Sequence, residues 1–306
     1  MNRVILLPVV IFFFAFTKSF SQGCSDAGFC TIGALAPYPV PDSSFKYLAK
    51  LSVSYGIGEQ RTKHLQLIPE LEVSFIKKNT IQLKVPYVSV HGNLGDNSGV
   101  GDVALSISQK IIDKENSDLS VTVGVKLPTG TTNTAENGIS LPMPYQTGLG
   151  TTDLILGVSY KYKKWNLSSG YQRVLNNKNE NGFLHSTDNS DVANKYFESN
   201  LLDRGDDALI RIERNFPGNK IKLFAGILAI YRLEADKIIN DAGTQVALKG
   251  SDGLTLNVTG RAQYDFSVRS GVSLLFGTPV KFRDVRADGL TRKLVLTASY
   301  QVRFGR

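Results

Sequence analysis

The stretch Leu119-Ser120-Val121-Thr122-Val123-Gly124-Val125-Lys126-Leu127 sets an apolar side chain at every second position and a small or polar one between. Leu154, Leu156, Val158, Tyr160 and Tyr162 repeat the pattern against Asp153, Gly157, Ser159 and Lys161. Successive strand side chains point to opposite faces, so period two reads as a strand with one oily and one polar face.

Working outward from these two, the same pattern runs from Phe45 to Phe304 and predicts strands near residues 45–57, 64–77, 79–91, 100–112, 118–128, 151–163, 165–175, 206–215, 219–234, 252–265, 267–280 and 291–304. That is twelve strands, an even number. Strands of soluble sandwiches commonly run about five or six residues, whereas a tilted strand crossing a hydrocarbon layer needs about nine to eleven. The links alternate in length. Short ones fall at Lys77-Lys78, Asp113 to Ser117, Lys163-Lys164, Phe216 to Gly218 and Asp265 to Ser267; longer ones fall at 92–99, 129–150, 176–205, 235–251 and 281–290. Only the first outer link, Gly58 to Lys63, is modest. Outer-membrane barrels sort their loops this way, with short periplasmic turns and long extracellular loops. The expected fold is all-β: a transmembrane antiparallel up-and-down β-barrel.

In the last strand Leu294, Leu296, Ala298, Tyr300, Val302 and Phe304 share one face, and Lys293, Thr297, Ser299, Gln301 and Arg303 the other. Alternation alone does not say which face is inside. Aromatic residues near strand ends, among them Tyr55, Tyr87, Tyr160, Tyr162, Trp165, Tyr231, Tyr264, Phe266, Tyr300 and Phe304, suit the two interfacial girdles of a membrane barrel and favour the oily face outward. The closing Tyr300-Gln301-Val302-Arg303-Phe304 resembles the aromatic-terminated last strand read by barrel-assembly machinery, an expected partner during biogenesis, although Gly305 and Arg306 follow it.

Ahead of the barrel, Arg3 precedes an apolar run from Val4 to Phe16, with Ser19 and Ser21 beyond it: a secretory signal peptide over 1–22, cleaved near Gln22. Removing Arg3 and Lys18 takes two cations from the net charge of +8 and leaves +6. The remaining positive residues are spread singly, which argues against a nucleic-acid surface. Residues 23–44 do not alternate and hold Pro37, Pro39 and Pro41, so they read as a periplasmic segment or as a plug inside the lumen, ahead of a barrel over 45–306. Cys24 and Cys30 suggest a small disulfide loop in an oxidising compartment, with lipidation of Cys24 or a metal site as alternatives.

Three motifs then stand out: Gly99-Val100-Gly101-Asp102-Val103-Ala104-Leu105, Gly124-Val125-Lys126-Leu127-Pro128-Thr129-Gly130, and Gly148-Leu149-Gly150-Thr151-Thr152-Asp153-Leu154. With them the chain resembles the outer-membrane family named MetA-pathway of phenol degradation. The resemblance implies a channel-like barrel associated with breakdown of aromatic compounds, and carries no catalytic or ligand motif. The Thr-, Gly- and Pro-rich link between the second and third motifs can fold inward and narrow a pore, or stay a surface loop.

Gly99 to Ala104 formally matches a dinucleotide-binding fingerprint, but a strand follows where that motif needs a helix. Of the three histidines, His64, His91 and His185, none is set beside a strand-held nucleophile, and neither His185-Ser186 nor Asp206-Asp207 makes a triad by adjacency alone. No enzyme activity, cofactor or metal is expected. Charged residues that alternate with apolar neighbours should instead point into the lumen: Glu70, Glu72, Lys84, Asp102, Asp153, Arg211, Glu213, Arg232, Glu234, Arg261, Asp265 and Arg269. Both signs occur, and unpaired burial is costly, so many should pair and leave a narrow route. The sequence therefore points to the outer membrane of a Gram-negative bacterium, with membrane lipid and a small solute as partners. The leading expectation is passive uptake of small solutes, with hydrophobic or aromatic ones included. The alternatives are a plugged structural or adhesion barrel and, last, a barrel hydrolase.

Overall fold

The computed structural model describes residues 32–36, 45–76, 78–218, 220–290 and 292–305. The signal segment, Cys24, Cys30 and the three prolines of 37–41 lie outside the described residues. In chain order the strands are β1 (Tyr47–Ile57), β2 (Lys63–Ile76), β3 (Asn79–Lys84), β4 (Tyr87–Gly92), β5 (Gly95–Val100), β6 (Val103–Lys114) and β7 (Ser117–Leu127). There follow β8 (Ala135–Glu136), β9 (Ile139–Ser140), β10 (Thr151–Tyr162), β11 (Trp165–Asn177), β12 (Asp207–Phe216), β13 (Ile221–Arg232), β14 (Lys237–Ile239), β15 (Gln245–Ala247), β16 (Gly253–Asp265), β17 (Ser270–Lys281) and β18 (Leu294–Phe304). β8–β9 and β14–β15 are small hairpins within long loops.

The rest form one antiparallel sheet in which β1 pairs with both β18 and β2, so the sheet closes on itself. β3 with β4, and β5 with β6, are two wall strands each broken once, which makes twelve strands around the barrel. The first break falls at Pro86, which has no N–H to give to a ladder; its carbonyl still accepts the Gly101 amide at 2.8 Å. Closure matters because a bilayer core supplies no water to satisfy a free strand edge.

One expected long loop is absent. Residues 95–99 of the predicted 92–99 link belong to strand β5, and only Asn93-Leu94 turn between β4 and β5. Gly95-Asp96-Asn97-Ser98 carries no oily alternation because this hairpin continues beyond the apolar belt, where neither face needs to be greasy.

The polar face lies inside. Ser120, Thr122, Ser159 and Thr297 are buried, while Val123, Val158, Ile212, Ile227 and Leu296 are exposed on the outer surface. Hydroxyls line the interior as linked pairs, Ser52 with Ser299 at 2.8 Å and Ser108 with Thr122 at 2.7 Å. Tyr160, Tyr162, Trp165, Phe266 and Phe304 ring the short-turn end and Tyr55 and Tyr231 the long-loop end, all exposed. No described helix is long and apolar enough to cross a membrane; this wall crosses with strands.

Candidate functional site

The lumen is filled in two storeys. In the middle of the barrel lies a piece of the chain's own amino-terminal region, Ile32–Ala36, folded as a single 3-10 turn over Gly33–Leu35. Gly33 takes a left-handed φ of +50°, and a Cβ there would stand 2.4 Å from Ser108 Oγ, so glycine is needed both for conformation and for room. Its amide donates to Gln82 Oε1 at 2.8 Å, and the Leu35 carbonyl accepts from Arg211 Nη1 at 2.5 Å. Leu35 is fully buried against the backbone of Gly157 and Gly170. Ile32 and Leu35 pack with Ala104, Ile155, Leu209 and Leu228, an apolar band in an otherwise polar wall.

Toward the short turns, charges pair across neighbouring strands. Lys50 Nζ meets Glu70 at 2.8 Å, Gln82 donates to both Glu70 and Glu72 at 3.2 Å, and Lys222 meets Asp265 at 2.8 Å. Arg261 reaches Glu213 at 3.5 Å and lies over the Phe224 ring at 3.4 Å.

The upper storey is ionic. Asp288 Oδ2 lies 2.9 Å from Arg232 Nη2, 2.9 Å from Arg283 Nη2 and 3.7 Å from Arg204 Nε. Asp207 is held by Arg232 at 2.7 Å and by Arg204, and Asp236 by Arg232 and by Arg283 at 3.6 Å. Burial alone would raise the Asp288 carboxyl; Arg283, Arg232 and Arg204 together hold it well below the usual carboxylate range. Beside this cluster Lys126 meets Asp153 at 2.8 Å and Asp102 at 3.7 Å.

Above it the loops fold inward. Every residue from Leu141 to Gly150 is buried, so the second half of the link between the second and third motifs is a cap, while the β8–β9 hairpin of its first half stays at the surface. Tyr145 and Tyr196 share a hydroxyl hydrogen bond at 3.0 Å at the heart of an apolar cluster with Val88, Val90, Leu141 and Phe183. The three sequence motifs converge here on one carboxylate. Asp102 accepts the Gly130 amide at 3.2 Å and the Leu149 amide at 2.9 Å, and a Cβ on Gly148 would stand 2.4 Å from its Oδ1. A cavity of about 80 Å³ remains beneath this cap, between Lys84, Asp102, Lys126, Met143, Asp288 and Arg292.

Of the charged residues picked out in the sequence, Glu70, Lys84, Asp153, Arg211, Glu213, Arg232 and Arg261 are buried within the barrel, and Glu72, Asp102 and Asp265 are half-buried. Glu234 and Arg269 are not in the lumen. Glu234 lies past the end of β13 and Arg269 in the β16–β17 turn, both exposed, because β13 ends earlier and β17 begins later than the alternation suggested. Arg204, Asp236, Arg283 and Asp288 were missed because they sit on loops, where no period marks an inward side chain. The apolar band was missed too, although Leu154-Ile155-Leu156, Leu209-Ile210 and Ile227-Leu228 break the alternation and were its one visible signal. The histidines are separate from one another: His64 is buried with Nε2 3.2 Å from the Thr62 hydroxyl, His91 pairs with Asp96 on the exposed hairpin, and His185 bonds the Tyr196 carbonyl at 2.9 Å. Asp206 accepts from the Tyr171 hydroxyl at 2.6 Å and the Val174 amide at 2.9 Å.

No family model and no curated protein matches the chain. Among solved structures it is similar to the COG4313 outer membrane channel from Pseudomonas putida F1, with a TM-score of 0.60 and 18% identity over 87% of this chain and 97% of that one. The fold is that of an outer-membrane β-barrel. Two further similarities are weaker and add nothing to that assignment: the NanC porin (TM-score 0.49, 8% identity, 84% of this chain and 100% of that one) and the CymD monoaromatic hydrocarbon channel (TM-score 0.42, 10% identity, 94% and 95%). With a closed ladder, an apolar outer belt and aromatic residues at both rims, the chain is a protein of the Gram-negative outer membrane.

Proposed function

We propose that this chain is a passive outer-membrane channel for small solutes, hydrophobic and aromatic ones among them, and that residues 23–44 are its plug. The observation that carries the reading is the nature of the obstruction. The wall is a closed ladder, but the middle of the lumen is filled by Ile32–Ala36, a segment outside that ladder. Such a segment can leave without breaking any strand pairing. Withdrawing it would bare Ala104, Ile155, Leu209 and Leu228, a greasy band at mid-lumen, which suits a solute with apolar surface better than a sugar. The upper ionic storey and the cap would act as the selective mouth. We read the chain as non-enzymatic, since each histidine is separate from the others, bonded to Thr62, Asp96 or the Tyr196 carbonyl, and the carboxylates buried in the ionic storey are occupied by arginines and lysines.

The test is liposome swelling with refolded mature protein, comparing a small sugar, an amino acid and phenol, beside a variant lacking 23–44. Faster uptake after truncation, greatest for phenol, is the expected result. No uptake by either form, with heat-modifiable gel mobility showing a folded barrel, would sink the channel reading and leave a plugged scaffold that works through its capping loops.

A further inference from the structure

At the long-loop end, a depression of about 550 Å³ opens between the β1–β2 link, the Asn93 turn, the 178–206 loop and the 282–293 loop. Small-molecule sites commonly enclose roughly 300–1,000 Å³. Its lining combines two chemistries. Four cationic side chains, Arg61, Lys195, Arg286 and Lys293, stand against one carboxylate, Glu59, and two rings, Phe197 and Phe282, complete the wall.

Arg286 is pre-positioned. Its Nη1 donates to the Arg283 carbonyl at 2.5 Å and its Nε to Glu59 Oε1 at 3.0 Å. Its guanidinium lies 4.9 Å from the Phe282 ring centre and 5.4 Å from that of Phe197, so a fixed charge sits beside two aromatic faces. The β1–β2 link beside it is strained: Gln60 and Arg61 both take left-handed φ, +46° and +65°, and Gln60 Nε2 donates to the Lys195 carbonyl at 3.0 Å. Non-glycine residues in that conformation persist where surrounding contacts over-determine them, and such strain concentrates at ligand sites.

We propose that this depression binds small aromatic carboxylates, the carboxylate on Arg286 and the cationic rim and the ring against Phe197 and Phe282. A bare anion such as phosphate would use the cations and waste the rings; a neutral aromatic would do the reverse. Glu59 is the internal competitor for Arg286. It is buried, and burial, with a further contribution from Asp288, raises its carboxyl to about 7 despite Arg286 and Arg283. Tyr196, from the 178–206 loop, is the other titratable group that couples to it. Protonation of Glu59 therefore frees Arg286 for an external carboxylate.

The site lies apart from the Ile32–Ala36 segment, so its test reads binding and not flux, and the two proposals fail separately. Calorimetry on the full mature chain in detergent micelles uses benzoate, acetate, benzyl alcohol and inorganic phosphate as probes. Benzoate is expected to bind saturably and at least tenfold more tightly than the other three. Arg286→Gln should weaken it tenfold or more, and the exposed pair Arg61→Gln with Lys195→Gln at least threefold without disturbing the fold, while Lys114→Gln, at the short-turn end of β6, leaves it unchanged. Benzoate should bind more tightly at pH 6 than at pH 8, and Glu59→Gln should remove that difference. Equal affinity for acetate or phosphate would reduce the site to a basic patch, and benzoate binding indifferent to both cationic variants would place it elsewhere; either result overturns the proposal.

Discussion

Gly157 and Gly170 stand opposite one another in the β10–β11 ladder, and the side chain of Leu35 fills the notch left by their missing side chains. A Cβ on Gly157 would lie 2.6 Å from Leu35 Cγ and one on Gly170 2.9 Å from Leu35 Cδ1, so neither position tolerates even alanine while Leu35 is seated. Gly157→Val should therefore expel Leu35 without touching the strand pairing. Solute uptake into liposomes is expected to rise severalfold with heat-modifiable mobility preserved. Unchanged uptake would mean that Leu35 is not what closes the lumen.

Arg232 is buried amid Asp207, Asp236 and Asp288, and removing one member of such a group leaves uncompensated charge. Arg232→Met is expected to cost about 3–5 kcal/mol, seen as a lower temperature for loss of the folded gel band. Adding Asp207→Asn should restore part of that loss, because one of the stranded carboxylates is then neutral. If the two losses simply add, the pair is not coupled.

Two acidic side chains of the outer loops, Asp288 and Glu59, respond to pH in opposite senses. Asp288 is held low by its arginines, so its contribution is complete above the usual carboxylate range and fades only as pH falls through its depressed value. Glu59 is raised from 4.5 to about 7, so the folded protein binds the proton more tightly and stability declines as pH rises between those values. Thermal unfolding at pH 5 and pH 8 should show a penalty at the higher pH, on the order of 3 kcal/mol at most. Glu59→Gln should shrink the difference, and an undiminished one would assign it to other groups.

Ile212 and Ile227 face each other across β12 and β13 on the outer surface, both about half exposed in the absence of lipid. Ile227→Arg should destabilise the barrel in vesicles by about 2–4 kcal/mol, whereas Ile221→Arg, beside the short turn, should cost about 0–1 kcal/mol. Equilibrium unfolding in urea distinguishes them. Equal costs would mean that the belt is not centred where the strands imply.

Much of the wall could be read directly. Inward and outward positions alternate over Leu119 to Leu127 and Asp153 to Tyr160, with Ile155 an apolar residue on the inward face, and the short turns fall at Lys163-Lys164 and after Phe216. The candidate site was legible only in part. Asp153, Arg211, Glu213, Arg232 and Arg261 sit on strands, where the period itself assigns a face; Arg204, Asp236, Arg283 and Asp288 sit on loops, where nothing local does.

The sequence by itself determined the period, the twelve strands and, except at 92–99, the sorting of links by length, because side-chain alternation and turn chemistry are set by residues a few places apart. Alternation by itself is symmetric between the two faces; aromatic placement at the strand ends favoured the oily face outward, and closure of the sheet fixes it so. Tertiary structure alone decided that Asp288 meets arginines from three separate segments, that Asp102 gathers all three glycine motifs, and that Leu35 finds the notch between Gly157 and Gly170. Those meetings depend on the register and closure of the ladder, which bring together residues far apart in the chain.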